Sequence, residues 1–223
     1  MTALGCGGPA DLTTVDDLRL VAVVADPPEG AVGELAVVTA VVADPFGEGA
    51  DVTLWQCGPP DLPCAVATGG LEGDVFRGTA AIGLPLWIVA CRPGLCPTPS
   101  EERLRDPVGW LRTLPIDGVA AGTKTVPIGP GRENPLILTA PLPEVVGDPE
   151  DAVPLRFVAP GVETASPLAT AGGFAQLSEA VPTSGDFTLD WRTPSEPGEA
   201  RIWVVLDDGL GGTAVWRGTG VVR

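Results

Sequence analysis

A chain of 223 residues with 29 acidic and 13 basic side chains has a formal charge of −16, and it contains neither histidine nor tyrosine. That removes Ser–His and Cys–His nucleophile pairs, imidazole metal ligands and tyrosine general acids, and the charge repels nucleic-acid backbones and anionic membrane surfaces. Thirty glycines and 25 prolines in a chain that is 44% hydrophobic describe a folded, turn-rich protein, long enough to bury a sizeable core without a metal.

In chain order, Ala3-Leu4-Gly5-Cys6 resembles the end of a bacterial lipobox, where small residues precede a cysteine that becomes lipidated. A lipobox follows a basic region and an apolar stretch of about 7 to 15 residues; five residues precede Cys6, so a truncated signal peptide is expected, with an ordinary flexible N-terminus over 1–17 as the other reading. Leu18 to Asp26 is a β-branched run stopped by Pro27-Pro28, and Glu34 to Ala43 repeats it up to Asp44-Pro45. Asp51 to Cys57 makes a third strand at roughly regular spacing, and Val75 to Ile82 and Leu84 to Cys91 add two more. Valine content and Pro/Gly punctuation favour strands over helices, and the spacing predicts an antiparallel sandwich.

Beyond Cys6, Cys57, Cys64, Cys91 and Cys96 form two closely spaced pairs around Pro and Gly. Such loops bring two sulfurs together and suit an oxidising, extracytoplasmic compartment. A four-thiolate zinc site is the rival, although its usual CxxC knuckles are missing. Four cysteines allow three connectivities, and local pairing is expected.

Ser100 as N-cap before Glu101 and Glu102 predicts a short helical segment near 100–113. Thr123 to Ile128 and Leu136 to Thr139 return to strand character and are expected to close the first sandwich. Pro141 to Pro154 reads as an exposed connector. The expected organisation is all-β: two antiparallel, Ig-like β-sandwich domains, one over 18–145 and the other over 146–223. In the second, Glu199 to Asp207 and Thr213 to Val222 form a hairpin across Asp208 to Gly212. The expected register sets Trp203 opposite Trp216, which puts both indoles on the face away from the core together with Arg201.

Trp191-Arg192-Thr193-Pro194-Ser195-Glu196-Pro197-Gly198, then a strand, then Asp207-Asp208-Gly209-Leu210-Gly211-Gly212, resembles the end of bacterial Ig-like and PKD-like modules. Leu18 to Asp44 is similar to the opening of such modules in secreted bacterial lipoproteins. The resemblance implies a surface-exposed, non-catalytic sandwich protein.

Candidate functional residues are few. Trp203, Trp216 and Arg201 are the candidate binding patch, for glycans or other surface proteins; the alternative is that the tryptophans pack against the first domain. Trp55, Trp87, Trp110 and Trp191 lie in or beside apolar runs and are expected in the core. Asp44, Glu48 and Asp51, or Asp207 and Asp208, lack the spacing of a calcium loop and read as solvated turn carboxylates. Lys124, the sole lysine, lies in a Thr-Lys-Thr segment that suggests an exposed face. No metal or other cofactor is expected, no catalytic residue is assigned, nucleic acid is not expected as a partner, and the membrane is met only through lipidation at Cys6. The function expected is a non-catalytic extracytoplasmic structural or interaction module, an outer-membrane or cell-surface lipoprotein, with a carbohydrate-binding or adhesion module using the tryptophan pair as the alternative.

Overall fold

The computed structural model describes residues 13–58, 62–98, 100, 103, 105, 106, 109, 110, 112–114 and 117–223. Cys6 lies outside them, and six of the fourteen residues of the segment expected to be helical near 100–113 fall outside them.

The valine-rich runs are strands: β1 (Arg19–Asp26), β2 (Leu35–Ala43), β3 (Asp51–Gln56), β4 (Ala65–Gly70), β5 (Val75–Ala81), β6 (Pro85–Cys91) and β7 (Val119–Thr125). They make two antiparallel sheets, ordered β1-β2-β5 and β4-β3-β6-β7. Alternation decides how they face. Ala36, Val38, Ala40 and Val42 of β2 point one way and meet Val52, Leu54, Leu86, Ile88 and Ala90 from the other sheet in one buried core. Removing those side chains from water, at roughly 1.5–3 kcal/mol for each large one, is what holds the layers together.

A second pair of sheets follows. β8 (Glu144–Gly147), β9 (Ala152–Val158), β10 (Thr164–Ala169), β11 (Gly173–Phe174), β12 (Glu179–Ala180), β13 (Asp186–Arg192), β14 (Gly198–Asp207) and β15 (Thr213–Val222) are arranged as β12-β10-β14-β15-β8 against β11-β13-β9. Leu155, Phe157, Leu189 and Trp191 from the three-stranded sheet pack on Ile202, Val204, Leu206 and Trp216 from the five-stranded one. Phe157 stacks on Phe187 and meets Trp216 edge-on, with centroids 5.3 and 5.5 Å apart.

Three expectations change. Glu144–Gly147 is a strand rather than a connector: it pairs in parallel with Thr219–Val222, covering the β15 edge. Leu136 to Thr139 does not close the first sandwich. Ile137 and Ala140 pack against the second core, and Thr139 bridges to Val158. The β14–β15 hairpin is shifted by one residue, so that Trp203 faces Arg217 and Val204 faces Trp216. The turn is the cause. Asp207 pairs with Thr213, and the Asp208 carboxylate accepts the N–H groups of Leu210 and Gly212 at 2.8 Å each, closing a five-residue loop in this register.

Two disulfides, Cys57–Cys64 and Cys91–Cys96, close short loops at the ends of β3 and β6. They are local, as expected, and they occupy the thiols that a zinc site would have needed. Beside them Trp55, Trp87 and Trp110 build a further buried cluster on the outer face of the β4-β3-β6-β7 sheet, Trp110 standing edge-on to Trp55 at 5.2 Å.

Candidate interaction site at the junction of the sandwiches

The shifted register separates the two tryptophans expected to form a patch. Trp216 faces inward and is 8% exposed within the second core; Trp203 faces the other way and is 1% exposed. The exposed pair is therefore corrected: neither indole is free, and they lie on opposite faces of one sheet. Trp203 instead packs, with Leu168 and flanked by Val205 and Val215, against Val15, Ala22, Val41 and Ala43. The expected alternative, packing on the first domain's sheet, describes Trp203.

Polar contacts surround that apolar contact. The Trp203 Nε1–H donates to Asp74 Oδ2 at 2.9 Å, while Arg217 Nη1 donates to Asp74 Oδ1 at 2.6 Å. Asp74 lies in the β4–β5 turn, so one carboxylate from the first sandwich clamps two strands of the second. The Arg201 Nη1 group donates to the Asp44 carbonyl at 3.2 Å. On the other flank Lys124 Nζ donates to the carbonyls of Val23 and Gly211 and to Thr213 Oγ1, at 3.0, 3.1 and 3.3 Å. Burial lowers the Lys124 pKa from 10.5, opposed by the charges of Asp207 and Asp208. The sole lysine is thus a junction strut and not an exposed group. Asn134 spans the same gap, donating to Ala25 O at 2.7 Å and accepting from Thr213 N at 2.9 Å.

Of the turn acids, Glu48 and Asp51 are exposed, as expected, Asp207 and Asp208 are half-buried, and Asp44 departs from the expectation. Asp44 is buried, accepts Arg92 Nη1 at 2.5 Å and receives the N–H groups of Gly47 and Gly49. Burial would raise its carboxyl, but the Arg92 hydrogen bond, the Gly49 N–H, the Arg92 charge and the Phe46 N–H together hold it below 3.8. Glu48 reaches Arg92 Nε at 3.4 Å. Among the described residues no group of three or more His, Cys, Asp or Glu gathers as for a metal.

At one edge of the junction lies an open cavity of ≈ 380 Å³ lined by Asp74, Pro143, Arg201, Trp203, Arg217 and Thr219, among others. Of the expected patch, Arg201 and Trp203 reach this site. The residues that sequence reasoning missed are Asp74 and Arg217. The Gly73-Asp74 turn carried no signal of its own; Arg217 would have followed from the correct hairpin register.

No family model and no curated protein matches the chain. Solved structures do resemble it. The D0-D1 domain of Intimin aligns over 91% of this chain and 98% of that one, at 12% identity and a TM-score of 0.30. The N-terminal Ig1-2 module of the Drosophila receptor protein tyrosine phosphatase DLAR aligns over 93% and 99%, at 11% and 0.32. The Yersinia pseudotuberculosis adhesin InvE aligns over 89% and 58%, at 14% and 0.29. At those values the likenesses carry no argument about partners, and the fold is read from the sheets themselves.

Proposed function

We propose that the chain is a non-catalytic interaction module of an extracytoplasmic bacterial surface lipoprotein, built from two Ig-like β-sandwich domains and anchored through Cys6. The observation that carries the reading is the pair of local disulfides, Cys57–Cys64 and Cys91–Cys96, which an oxidising compartment sustains and a reducing cytosol does not. Side chains that chemistry would recruit are spent on architecture instead: Lys124 on three junction oxygens, Asp44 on Arg92, Asp74 on Trp203 and Arg217. The packing supports a domain division earlier than 145. Val126 belongs to the first core and Ile137 packs on the second, which favours a division within 127–136.

The test is peptide mapping, without reduction, of protein recovered from its own cells. Linked 57–64 and 91–96 peptides, together with digestion of the protein by protease added to intact cells, are expected. Four free thiols in freshly alkylated material, or protection until the cells are lysed, would overturn the extracytoplasmic reading.

A further inference from the structure

We propose that the junction cavity is a binding site for a small carboxylate-bearing ligand of sugar-acid size, held by the guanidinium groups of Arg201 and Arg217. This rests on the interaction-module reading and gives its site a ligand class.

The argument begins with register. Arg201 pairs with Thr219, and Trp203 with Arg217, so Arg201 and Arg217 are diagonal neighbours on one face of the β14–β15 ribbon, about 7–8 Å apart at their origins. Both are exposed, and both line the cavity. Two like charges so placed repel unless something negative sits between them. Asp74 answers one, through its bond to Arg217. Arg201 has no ion pair among the described residues; its guanidinium donates to the Asp44 backbone carbonyl. In a chain with more than twice as many acids as bases, Arg92, Arg132 and Arg156 pair with Asp44, Glu29 and Asp186; Arg201 differs from them, and from an exposed arginine such as Arg192, in lining a cavity beside a second guanidinium. The cavity therefore carries an excess positive charge within a strongly negative molecule. Glu144, which pairs beside Thr219 on β8, is exposed and does not line it.

A guanidinium presents a planar fork of N–H donors that matches a carboxylate in two-point geometry. The remaining lining, the Thr219 hydroxyl, the Asp74 oxygens and the ring of Pro143, offers donor, acceptor and apolar surface in the mixture that a polyhydroxy acid requires. At ≈ 380 Å³ the space lies at the small end of ligand pockets, enough for a monosaccharide acid. It is also composite. Asp74 enters from the first sandwich and the other named groups from the second, so the site exists only while the sandwiches are docked.

Titration calorimetry of the full chain at low salt tests this, with galacturonate as probe, galactose as the same ring lacking the acid, and acetate as the acid lacking the ring. Galacturonate is expected to bind, galactose to give no heat, and acetate to compete with galacturonate. The Arg201→Gln variant, judged folded by an unchanged circular dichroism spectrum, is expected to weaken galacturonate binding by about tenfold or more, the loss of a charge-assisted bond. Arg192→Gln, altering an exposed arginine on β13, is expected to leave it unchanged. Equal heats from galactose and galacturonate, equal affinity in Arg201→Gln and the parent, or no galacturonate binding at millimolar concentration would each overturn the proposal. Those failures leave the disulfide map and cell-surface digestion untouched, so the broader reading stands or falls separately.

Discussion

At single positions, two features of the chain set strong demands. The Arg92–Asp44 pair has side chains only 10% and 5% exposed, and losing Asp44 takes from Arg92 its shortest partner, leaving Glu48 at 3.4 Å and Asp17 at 3.8 Å, at about 1.5–3 kcal/mol for the charge-assisted bond. Asp44→Ala is therefore expected to lower the urea midpoint at pH 7 more than Asp51→Ala at the exposed start of β3. Its acid titration follows from the depressed folded pKa: the stabilisation is complete above 3.8, where the unfolded carboxyl is also ionised, and drains away as pH falls through the lower folded value. Urea midpoints of parent and variant measured from pH 7 to pH 2 should converge only in the acid range; curves that stay parallel would show that Asp44 contributes no such linkage. The second demand is Gly220. A Cβ there would run into the indole of Trp191, which is fully buried, whereas one at Gly198 meets nothing. Gly220→Ala should cost roughly 1–3 kcal/mol by overpacking and Gly198→Ala much less, a contrast that thermal melting resolves.

Among the elements, the disulfide loops show what covalent closure adds to a sheet. Loops of this length constrain the unfolded chain by roughly 2 kcal/mol each, and both lie beside the Trp55–Trp87–Trp110 cluster. Reduction under native conditions is expected to loosen that cluster first, so tryptophan emission should shift to the red while circular dichroism of the sheets persists; simultaneous loss of both signals would mean that the loops hold the whole sandwich. The strands around them were legible because valine-rich runs between Pro and Gly corners carry their period openly. β4 was not. Ala65–Gly70 is exposed along most of its length, so it has no buried alternation to read, and it is a strand only because β3 lies beside it. β8 escaped for the same reason, four residues among prolines made regular by the edge of β15. The hairpin shows a sharper limit. Its arms were correct, yet one residue of register, set by how Asp208 folds back on Leu210 and Gly212, moved Trp216 from the expected surface into the core. The candidate site was half legible for that reason: Arg201 and Trp203 were named on the right strand, while Asp74 reaches Trp203 across a gap of 129 residues in sequence, which no local pattern encodes.

Over the whole molecule, the question is whether the sandwiches behave as beads on a string or as one body. The junction has the composition of a small core, Trp203 and Leu168 set against Val15, Ala22, Val41 and Ala43, ringed by hydrogen bonds that Asp74 and Asn134 accept and that Lys124 and Arg201 donate. Domain contacts that are small and polar let domains move, but apolar and interlocked ones couple them. Trp203 is the centre of this contact, and truncating a fully buried tryptophan costs about 3–5 kcal/mol. The parent is accordingly expected to unfold in one calorimetric transition and Trp203→Ala in two, the sandwiches melting separately once the coupling energy is gone. Trp203→Phe keeps an aromatic ring in the contact but gives up the pyrrole part of the indole with its N–H to Asp74, so it should retain one transition at a lower temperature. A single transition in Trp203→Ala, merely shifted down, would assign the coupling to the polar ring instead. Because the cavity takes Asp74 from one sandwich and Arg201, Trp203 and Arg217 from the other, Trp203→Ala should also lose galacturonate binding at temperatures where both sandwiches remain folded. Shape and recognition are then one property: the module presents its site only while its two halves are held together.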